Sequence, residues 1–373
     1  MTQKLQLQIK ALRKEKNVTQ KELANALHVS FQTISKWENG IAMPDISYLP
    51  ALAMYFETDV EVILGMRPLE QEEIFTDFCS KEYWEKELEC TKSWKQFYFN
   101  DDYLEFLVKN VWRFESPVRM LDCACGYGYL ADKIFPYLPE GSTYTGFDVS
   151  EMYLEEGRKK FGKENPLVQF VNGNIFDYKS PEKYDLVISQ MILSYLPAPE
   201  EALDRMLQMV SPGGMLVSMD ISLPLAEEVF FLAKGNEPYK AEIPNPQKVW
   251  EFMEEKGEMN ANMGTEMAFL FRKKGLHHVQ ARLSDRVFTY DGNSVEARRE
   301  EMIQFRNVIE HLGRVQKKYA FYLNRGCSLP EAEAFVNYQE EILKELQEPD
   351  VFVSKASGLY ITWGYREDKN SGG

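Results

Sequence analysis

The chain has 373 residues, of which 44% are hydrophobic and 27% charged, and its net charge is −15. That is length for two or three domains with real cores, and an acidity that excludes a chain gripping nucleic acid along its whole length. No run of about 18 apolar residues is long enough to span a bilayer, MTQKLQLQIK lacks the apolar core of a signal peptide, and five cysteines at irregular spacing do not make a disulfide framework, so the expectation is a cytoplasmic protein with no membrane partner. The charge is uneven. Residues 1–40 hold seven Lys or Arg against three Glu, whereas residues 67–373 hold 36 basic against 51 acidic residues. Any duplex contact therefore belongs to the positive head.

In the head, residues 1–66, Ile9, Leu12, Leu23, Leu27, Ile34 and Trp37 fall at helical spacing. Thr19 followed by Glu22 is a capping box, so a helix starts at Gln20 and ends near His28. Ser30 caps a second helix, FQTISKWEN, which Gly40 stops, and ISYLPALAMYF and DVEVILG supply two more. Two short helices joined by a tight turn form a helix-turn-helix pattern. The string TQKELANALHVSFQTISKWENGIAMPD resembles the XRE-type, lambda-repressor-like DNA-binding domain. The resemblance implies that the second helix enters the major groove of double-stranded DNA, with Phe31, Gln32, Thr33 and Lys36 facing it and Gln20 meeting the backbone. It also implies a homodimer, since such domains pair on DNA and each chain carries one copy. A helical docking module would share the same apolar spacing.

MRPLEQEE breaks the pattern, and residues 67–116 read as a linker and a helical lid rich in aromatics, with Tyr98 and Phe99 as the expected approach to a ligand.

From residue 117 the pattern changes. VRMLDCA reads as a buried strand that turns at Gly126 and Gly128 into the helix YLADKIFPYL, a nucleotide-binding opening. STYTGFDVS ends a second strand at Asp148, 20 residues after Gly128, where an acid meets ribose hydroxyls. Strands LVQFVNGN, KYDLVISQ and MLVSMDIS alternate with helices, which predicts a parallel sheet covered on both faces. GLHHVQARLSD and SGLYITWGYRED complete seven strands. Residues 117–366 resemble the class I S-adenosylmethionine-dependent methyltransferases, through Asp122-Cys-Ala-Cys-Gly126-Tyr-Gly128 and the strands that follow, with Ala124 where that family has its first glycine.

The fold expected is thus an all-α helix-turn-helix domain followed by an α/β, doubly wound, Rossmann-like domain with a seven-stranded mixed sheet. Helical cap insertions are expected at about 222–268 and 291–352. The resemblance implies S-adenosyl-L-methionine as cofactor and assigns roles around it. Ala124, Gly126 and Gly128 pass the methionine portion, Asp122 holds its amino group, and Asp148, with Val149 beside it, binds the ribose. Asn174 and Ile175 meet the adenine, and Gln190 borders the methyl group.

Methyl transfer needs alignment and exclusion of water, and a base only where the acceptor loses a proton. Tyr195 and Asp220, at strand ends, and His311, in a cap, are the candidates to face the acceptor. No His/Cys/Asp cluster has ligand spacing, so no metal is expected. The spacing CxC in LDCACGYGYL is neither a redox CxxC pair nor a metal clip without further ligands. The leading reading is a methyltransferase acting on a small molecule and fused to a transcription regulator. The alternative is a transcription factor that binds S-adenosylmethionine, or a metabolite, as an effector without turnover. A DNA methylase is disfavoured, because SQMILSY stands after the fourth strand where amino-group DNA methylases carry an Asn/Asp-Pro-Pro-Tyr motif, and no cysteine follows a proline.

Overall fold

A computed structural model describes residues 7–16, 18–66, 80–95, 97–162, 165–180, 182–228, 230–239, 244–316, 321–322 and 325–368. The chain divides into two compact units. One comprises residues 1–76, 240–252 and 309–347, and the other residues 77–239, 253–308 and 348–373.

The first unit begins with five helices, α1 (Ile9–Glu15), α2 (Gln20–Ala26), α3 (Phe31–Glu38), α4 (Tyr48–Phe56) and α5 (Val60–Ile63). Both sides of the capping box form: the Thr19 hydroxyl accepts from Glu22 N at 3.2 Å, and Glu22 Oε2 accepts from Thr19 N at 2.6 Å. Ser30 caps α3 by accepting from Thr33 N at 3.1 Å. The helices close over Ile9, Leu12, Leu23, Leu27, Ile34, Trp37 and Leu52, all buried. Two turns remain tight: His28 joins α2 to α3 with φ 52°, and Gly40 ends α3 with φ 66°.

The second unit opens with α6 (Lys81–Lys86), α7 (Leu88–Lys95) and α8 (Asp101–Phe106). Then follow β1 (Arg119–Cys123), α9 (Tyr129–Lys133), β2 (Thr143–Asp148), α10 (Glu151–Phe161), β3 (Val168–Asn172), β4 (Tyr184–Gln190), α11 (Pro199–Met209) and β5 (Val210–Ile221). The remaining elements of the chain are α12 (Leu223–Glu228), β6 (Phe230–Lys234), β7 (Glu237–Pro238), α13 (Gln247–Glu255), α14 (Met263–Lys273), β8 (His277–Leu283), β9 (Val287–Asp291), α15 (Arg299–Gln316), α16 (Leu329–Glu345), β10 (Val351–Ala356) and β11 (Leu359–Tyr365), of which α16, most of α13 and the end of α15 belong to the first unit.

Seven strands form one sheet in the order β3-β2-β1-β4-β5-β11-β8, with β11 antiparallel to both neighbours. This is the expected mixed sheet. Successive residues feed opposite faces, as a pleat requires. Met120, Leu186 and Val217 join one apolar core with Leu104, Leu107 and Trp363, while Leu121, Val187 and Leu216 join another with Leu203, Met206 and Phe271. Parallel strands buried on both faces read as continuous apolar runs, as here.

The expected helices of the caps form, as α12 to α16, but the sequence reading did not foresee the strands beside them. They contribute a four-stranded antiparallel sheet of order β7-β6-β10-β9. Its register pairs Lys355 with Phe230 and Phe352 with Asp291, so the short strand β10 finds both its partners far along the chain. Five- and six-residue strands such as FFLAK and VFVSKA carry too little alternation to be told from helix ends without that partner.

Candidate functional site

The parallel strands β1, β2 and β4 end side by side, and a cavity of about 460 Å³ opens at their carboxyl ends. Such ends are where open α/β sheets bind ligands. The turn after β1 forms its floor. Ala124, Gly126 and Gly128 all have left-handed backbone, with φ of 56°, 57° and 79°. The turn is fastened across the sheet: Cys125 N donates to Phe147 O at 2.9 Å and Gly126 N to Asp148 Oδ2 at 2.9 Å. Asp148 Oδ1 accepts from Ser150 N at 2.9 Å. Burial pushes the Asp148 carboxyl upward, against these two N–H groups.

Seven of the expected cofactor residues or their neighbours line the cavity: Ala124, Gly126, Asp148, Val149, Asn174, Ile175 and Gln190. The Gln190 side chain is buried, and its Nε2 has no hydrogen-bond partner among the described residues. Gly128, Asp122 and Tyr98 are not in the wall. A Cβ on Gly128 would lie 2.6 Å from the Phe170 ring, so that glycine serves the packing of the turn on the sheet. Asp122 is buried beneath the floor, where Oδ2 accepts from Tyr144 Oη at 2.8 Å and Oδ1 has no partner among the described residues. Burial raises its carboxyl to about 7, the Tyr144 bond opposing. Cys123 and Cys125 are buried free thiols, raised well above the ordinary range by burial.

Helices α6 and α7 reach the cavity through residues other than Tyr98 and Phe99. Lys81, Trp84, Thr91 and Lys95 line the cavity. Tyr98 packs on the core and Phe99 on the Tyr129 ring at 5.6 Å. The lid is tied to α10: Ser150 Oγ donates to Glu85 at 2.6 Å, Tyr153 Oη to Trp84 O at 2.7 Å, and Lys92 pairs with Glu156 at 3.1 Å. No motif marks these positions. Their signal was only the aromatic density of the segment, which points to a packed helix as readily as to a lid.

After β4 the chain bends at Met191, with φ 54°, into the short turn Leu193–Tyr195. Tyr195 lines the cavity and meets the Trp84 ring edge-on at 5.1 Å. Burial, and then Asp220, raise the Tyr195 phenol, which keeps it protonated at neutral pH. Asp220 is not in the wall. Its Oδ1 accepts from Ser194 N at 3.2 Å and Ser194 Oγ at 3.0 Å, and its Oδ2 from Ser218 Oγ at 2.7 Å. Asp220 therefore braces the turn that carries Tyr195, and burial lifts its carboxyl to about 6. His311 falls within α15, and its side chain lies outside the described residues. Among the described residues no three His, Cys, Asp or Glu side chains are grouped to hold a metal, and no helix is long and apolar enough to cross a membrane.

In the first unit α3 leaves Phe31, Gln32 and Lys36 exposed, while Thr33 is half-buried with its hydroxyl 2.8 Å from that of Ser30. Gln20 stands at the start of α2, where its Nε2 donates to Glu38 Oε2 at 2.6 Å. Glu38 also accepts from Arg13 Nη2 at 3.1 Å, so α1, α2 and α3 meet at one carboxylate.

Comparison with known proteins agrees with both halves. Residues 9–63 match the helix-turn-helix family model, and residues 121–216 match the model of a methyltransferase domain. Malonyl-[acyl-carrier protein] O-methyltransferase of Halalkalibacterium halodurans is 27% identical over 107 residues, covering 28% of this chain and 39% of that protein. Arsenite methyltransferase of Mus musculus is 29% identical over 124 residues, covering 30% of this chain and 33% of that protein. The ubiquinone/menaquinone biosynthesis C-methyltransferase UbiE of Yersinia enterocolitica is 27% identical over 154 residues, covering 38% and 60%. In each case the match spans less than two thirds of the relative's length. The chain carries a helix-turn-helix domain and, after it, a domain of the methyltransferase family with the seven-stranded sheet of the class I fold.

Proposed function

We propose that this chain transfers a methyl group from S-adenosylmethionine to a small-molecule acceptor, and that its head binds double-stranded DNA as a homodimer and regulates transcription. The observation that carries the reading is the cavity at the ends of β1, β2 and β4, with the Ala124–Gly126 turn and Asp148 in its wall. The residues present fit the donor. Each Asp148 oxygen accepts one backbone N–H and keeps a lone pair for a ribose hydroxyl. Asn174 and Ile175 are placed for the adenine, and the Gln190 amide nitrogen is buried and unpartnered among the described residues, as a group awaiting a ligand would be. When bound, S-adenosylmethionine supplies an electrophilic methyl group on a sulfonium.

The chain's own contribution is alignment and dryness. Trp84 and Tyr195, with Leu196 and Pro197, wall one part of the cavity with apolar surface. Tyr195, kept protonated, donates a hydrogen bond rather than taking a proton, and Asp220 holds its turn in place. The relatives' names, malonyl-[acyl-carrier protein] O-methyltransferase, arsenite methyltransferase and ubiquinone/menaquinone biosynthesis C-methyltransferase, share the transferred methyl group and no one acceptor chemistry.

Incubation of the full chain with methyl-labelled donor and cell extract tests the reading. Transfer of label to a small molecule is expected. Donor that binds tightly and shifts DNA affinity while no label leaves it would overturn turnover and favour the effector reading. On the DNA side, selection of bound duplexes from a random pool should return a palindrome whose half-sites mirror the homodimer.

A further inference from the structure

We propose that Asp220 is a positioning residue for methyl transfer: its carboxylate clamps the Leu193–Tyr195 turn, setting Tyr195 in the cavity wall and joining that wall to the insertion at Asn260. This role rests on the methyltransferase reading and adds to it what holds the Tyr195 side of the site, and over what pH range.

Ser194 is the point where three parts of the body meet. Its N–H and hydroxyl donate to Asp220 Oδ1 at 3.2 and 3.0 Å, and its carbonyl accepts from Asn260 N at 2.7 Å. Asn260 is itself fixed at the approach to α14: its Oδ1 accepts from Asn262 N at 2.7 Å and its Nδ2 donates to Glu266 at 3.0 Å. The next residue after Ser194 is Tyr195, in the cavity wall against the Trp84 ring. Asp220 cannot yield easily, because α14 lies on its backbone: a Cβ on Gly264 would stand 2.6 Å from Asp220 O. A shift of Ser194 therefore moves Tyr195 and the insertion together, and Asp220 is what resists it.

The clamp depends on charge. Three donors point at this carboxyl, two from Ser194 and the Ser218 hydroxyl at 2.7 Å. A carboxylate accepts all three. A carboxylic acid carries an O–H that needs an acceptor of its own, and its remaining bonds are roughly half as strong. Protonation thus turns a serine hydroxyl round and weakens the tie to Ser194 N, a donor that cannot reverse. Ser218 stands in register between Ser189 on β4 and Thr362 on β11, whose buried hydroxyls have no partner among the described residues. The carboxyl so heads a row of hydroxyls on a face otherwise packed by Val187, Leu216 and Phe271. The titratable residues on the elements around it are Tyr195 on the turn, Tyr360 opposite it on β11, Glu258 before α14, and Glu266, bonded to Asn260. The cations of α14, Arg272 and Lys273, lie about 12 Å farther along that helix. Burial outweighs the three donors and lifts the carboxyl to about 6. The fold favours the acid whereas the clamp needs the carboxylate, and a group held in that conflict serves a site rather than stability.

Two measurements on the full chain, wild type against Asp220→Asn and Ser218→Ala, decide the matter. One is the rate of label transfer from methyl-labelled S-adenosylmethionine to the small molecules of a cell extract, between about pH 5 and 8. The other is amide hydrogen exchange at Ser194, Tyr195 and Asn260, corrected for the chemical rate at each pH. In the wild type, transfer should fall on the acid side with a midpoint of about 6, and exchange at the three amides should quicken over the same range. Asp220→Asn should lose that acid limb, exchange fast throughout and transfer about 10-fold more slowly at pH 8. It should melt no lower than wild type there and bind S-adenosylhomocysteine within about twofold, whereas a residue needed only for folding would lose stability along with activity. Ser218→Ala leaves both bonds to Ser194 in place and removes one that holds the carboxyl down, so its limb should move to higher pH. An acid limb that persists in Asp220→Asn, a limb that Ser218→Ala leaves where it was, or exchange indifferent to pH and to both variants overturns the proposal. A wild type that moves no label at any pH overturns the turnover reading instead, and exchange at the three amides then decides the clamp alone.

Discussion

Of the turns that seat a residue with a side chain in left-handed backbone, two are held in opposite ways. His28, φ 52°, joins the helices of the head, and Ala124, φ 56°, leads out of β1 into the cavity floor. The head turn is closed locally: Thr19 and Glu22 cap the helix before it and Ser30 caps the helix after it. The body turn is closed from a distance, by Phe147 O on Cys125 N and by Asp148 Oδ2 on Gly126 N. A turn fixed by neighbours in sequence is robust to changes elsewhere. A turn fixed by another strand depends on groups that also serve the ligand.

The sharpest break in that comparison is Asp148→Ala. It removes both the tie on Gly126 and the expected ribose contact, each a bond to a charged group. Affinity for S-adenosylhomocysteine should fall by about 100-fold or more, with specific DNA binding unchanged within about twofold. Titration of both ligands with the same variant checks it. Parallel loss of DNA binding would show that the head turn is not closed by its own caps.

The second effect sets the two regions against each other by pH. In the head, the Thr19 N–H and hydroxyl lower Glu22, and in Glu38 burial is outweighed by bonds from Arg13 and Gln20, so both carboxyls lie below their ordinary value of 4.5. Such groups contribute stability that is present above the unfolded pKa and lost as pH falls. In the body, burial raises Asp122 to about 7 and Asp220 to about 6. Their contribution is present below the unfolded value of 3.8 and lost as pH rises through 6 and 7. Asp122→Asn keeps an acceptor for Tyr144 and removes the charge. It should stabilise the body on the order of 2 kcal/mol at pH 8 and not at all near pH 3.5. Urea unfolding at the two pH values, with hydrogen exchange to separate β1 from α2, measures it. A variant less stable than wild type at pH 8 would show that the Asp122 charge is already compensated.

A smaller effect tests the exposed face of α3. Gln32→Ala removes an exposed side chain and should cost about 1–3 kcal/mol of specific DNA binding if Gln32 reads a base edge. Lys36→Ala should weaken binding more evenly across sequences and flatten its salt dependence. Electrophoretic shifts at two salt concentrations distinguish the pair. Specific binding that survives loss of Gln32, Thr33 and Lys36 together would remove α3 from the groove.

What was legible in the sequence follows the same division. The head could be read to within a residue or two, because caps at Thr19 and Ser30 and the stop at Gly40 are local chemistry. The five parallel strands β1 to β5 were legible because such strands carry continuous apolar runs. The four-stranded cap sheet was not, since β6 and β10 pair across more than a hundred residues and neither reads as a strand alone. At the cavity, Gly126, Asp148 and Gln190, which the resemblance implied, are in the wall, and so are Trp84, Thr91 and Lys95, which the sequence reading did not name. They stand on α6 and α7, which are tied to α10 by contacts distant in sequence, and nothing local to SWK distinguishes a buried lysine from a solvated one. Asp220 was found as a strand-end acid, but its three bonds to Ser194 and Ser218 turn it away from the cavity into a brace.

The smallest effect compares the two turns directly. A left-handed residue with a Cβ costs about 1 kcal/mol or somewhat more, and glycine returns part of that gain through the greater freedom of its unfolded chain. His28→Gly, at an exposed position, should therefore stabilise the head by about 0.5 kcal/mol and leave DNA affinity unchanged. Ala124→Gly should bring the same gain in the body, because the backbone demand is the same. Its methyl group, however, lies in the cavity wall. If that methyl merely fills space beside the donor, affinity for S-adenosylhomocysteine stays within about threefold. If affinity rises by about tenfold or more, Ala124 is holding the ligand off the turn, and the chain carries a donor site loosened at one carbon atom. Denaturation and titration of the two variants side by side separate backbone relief, common to both turns, from ligand fit, which belongs to the second alone.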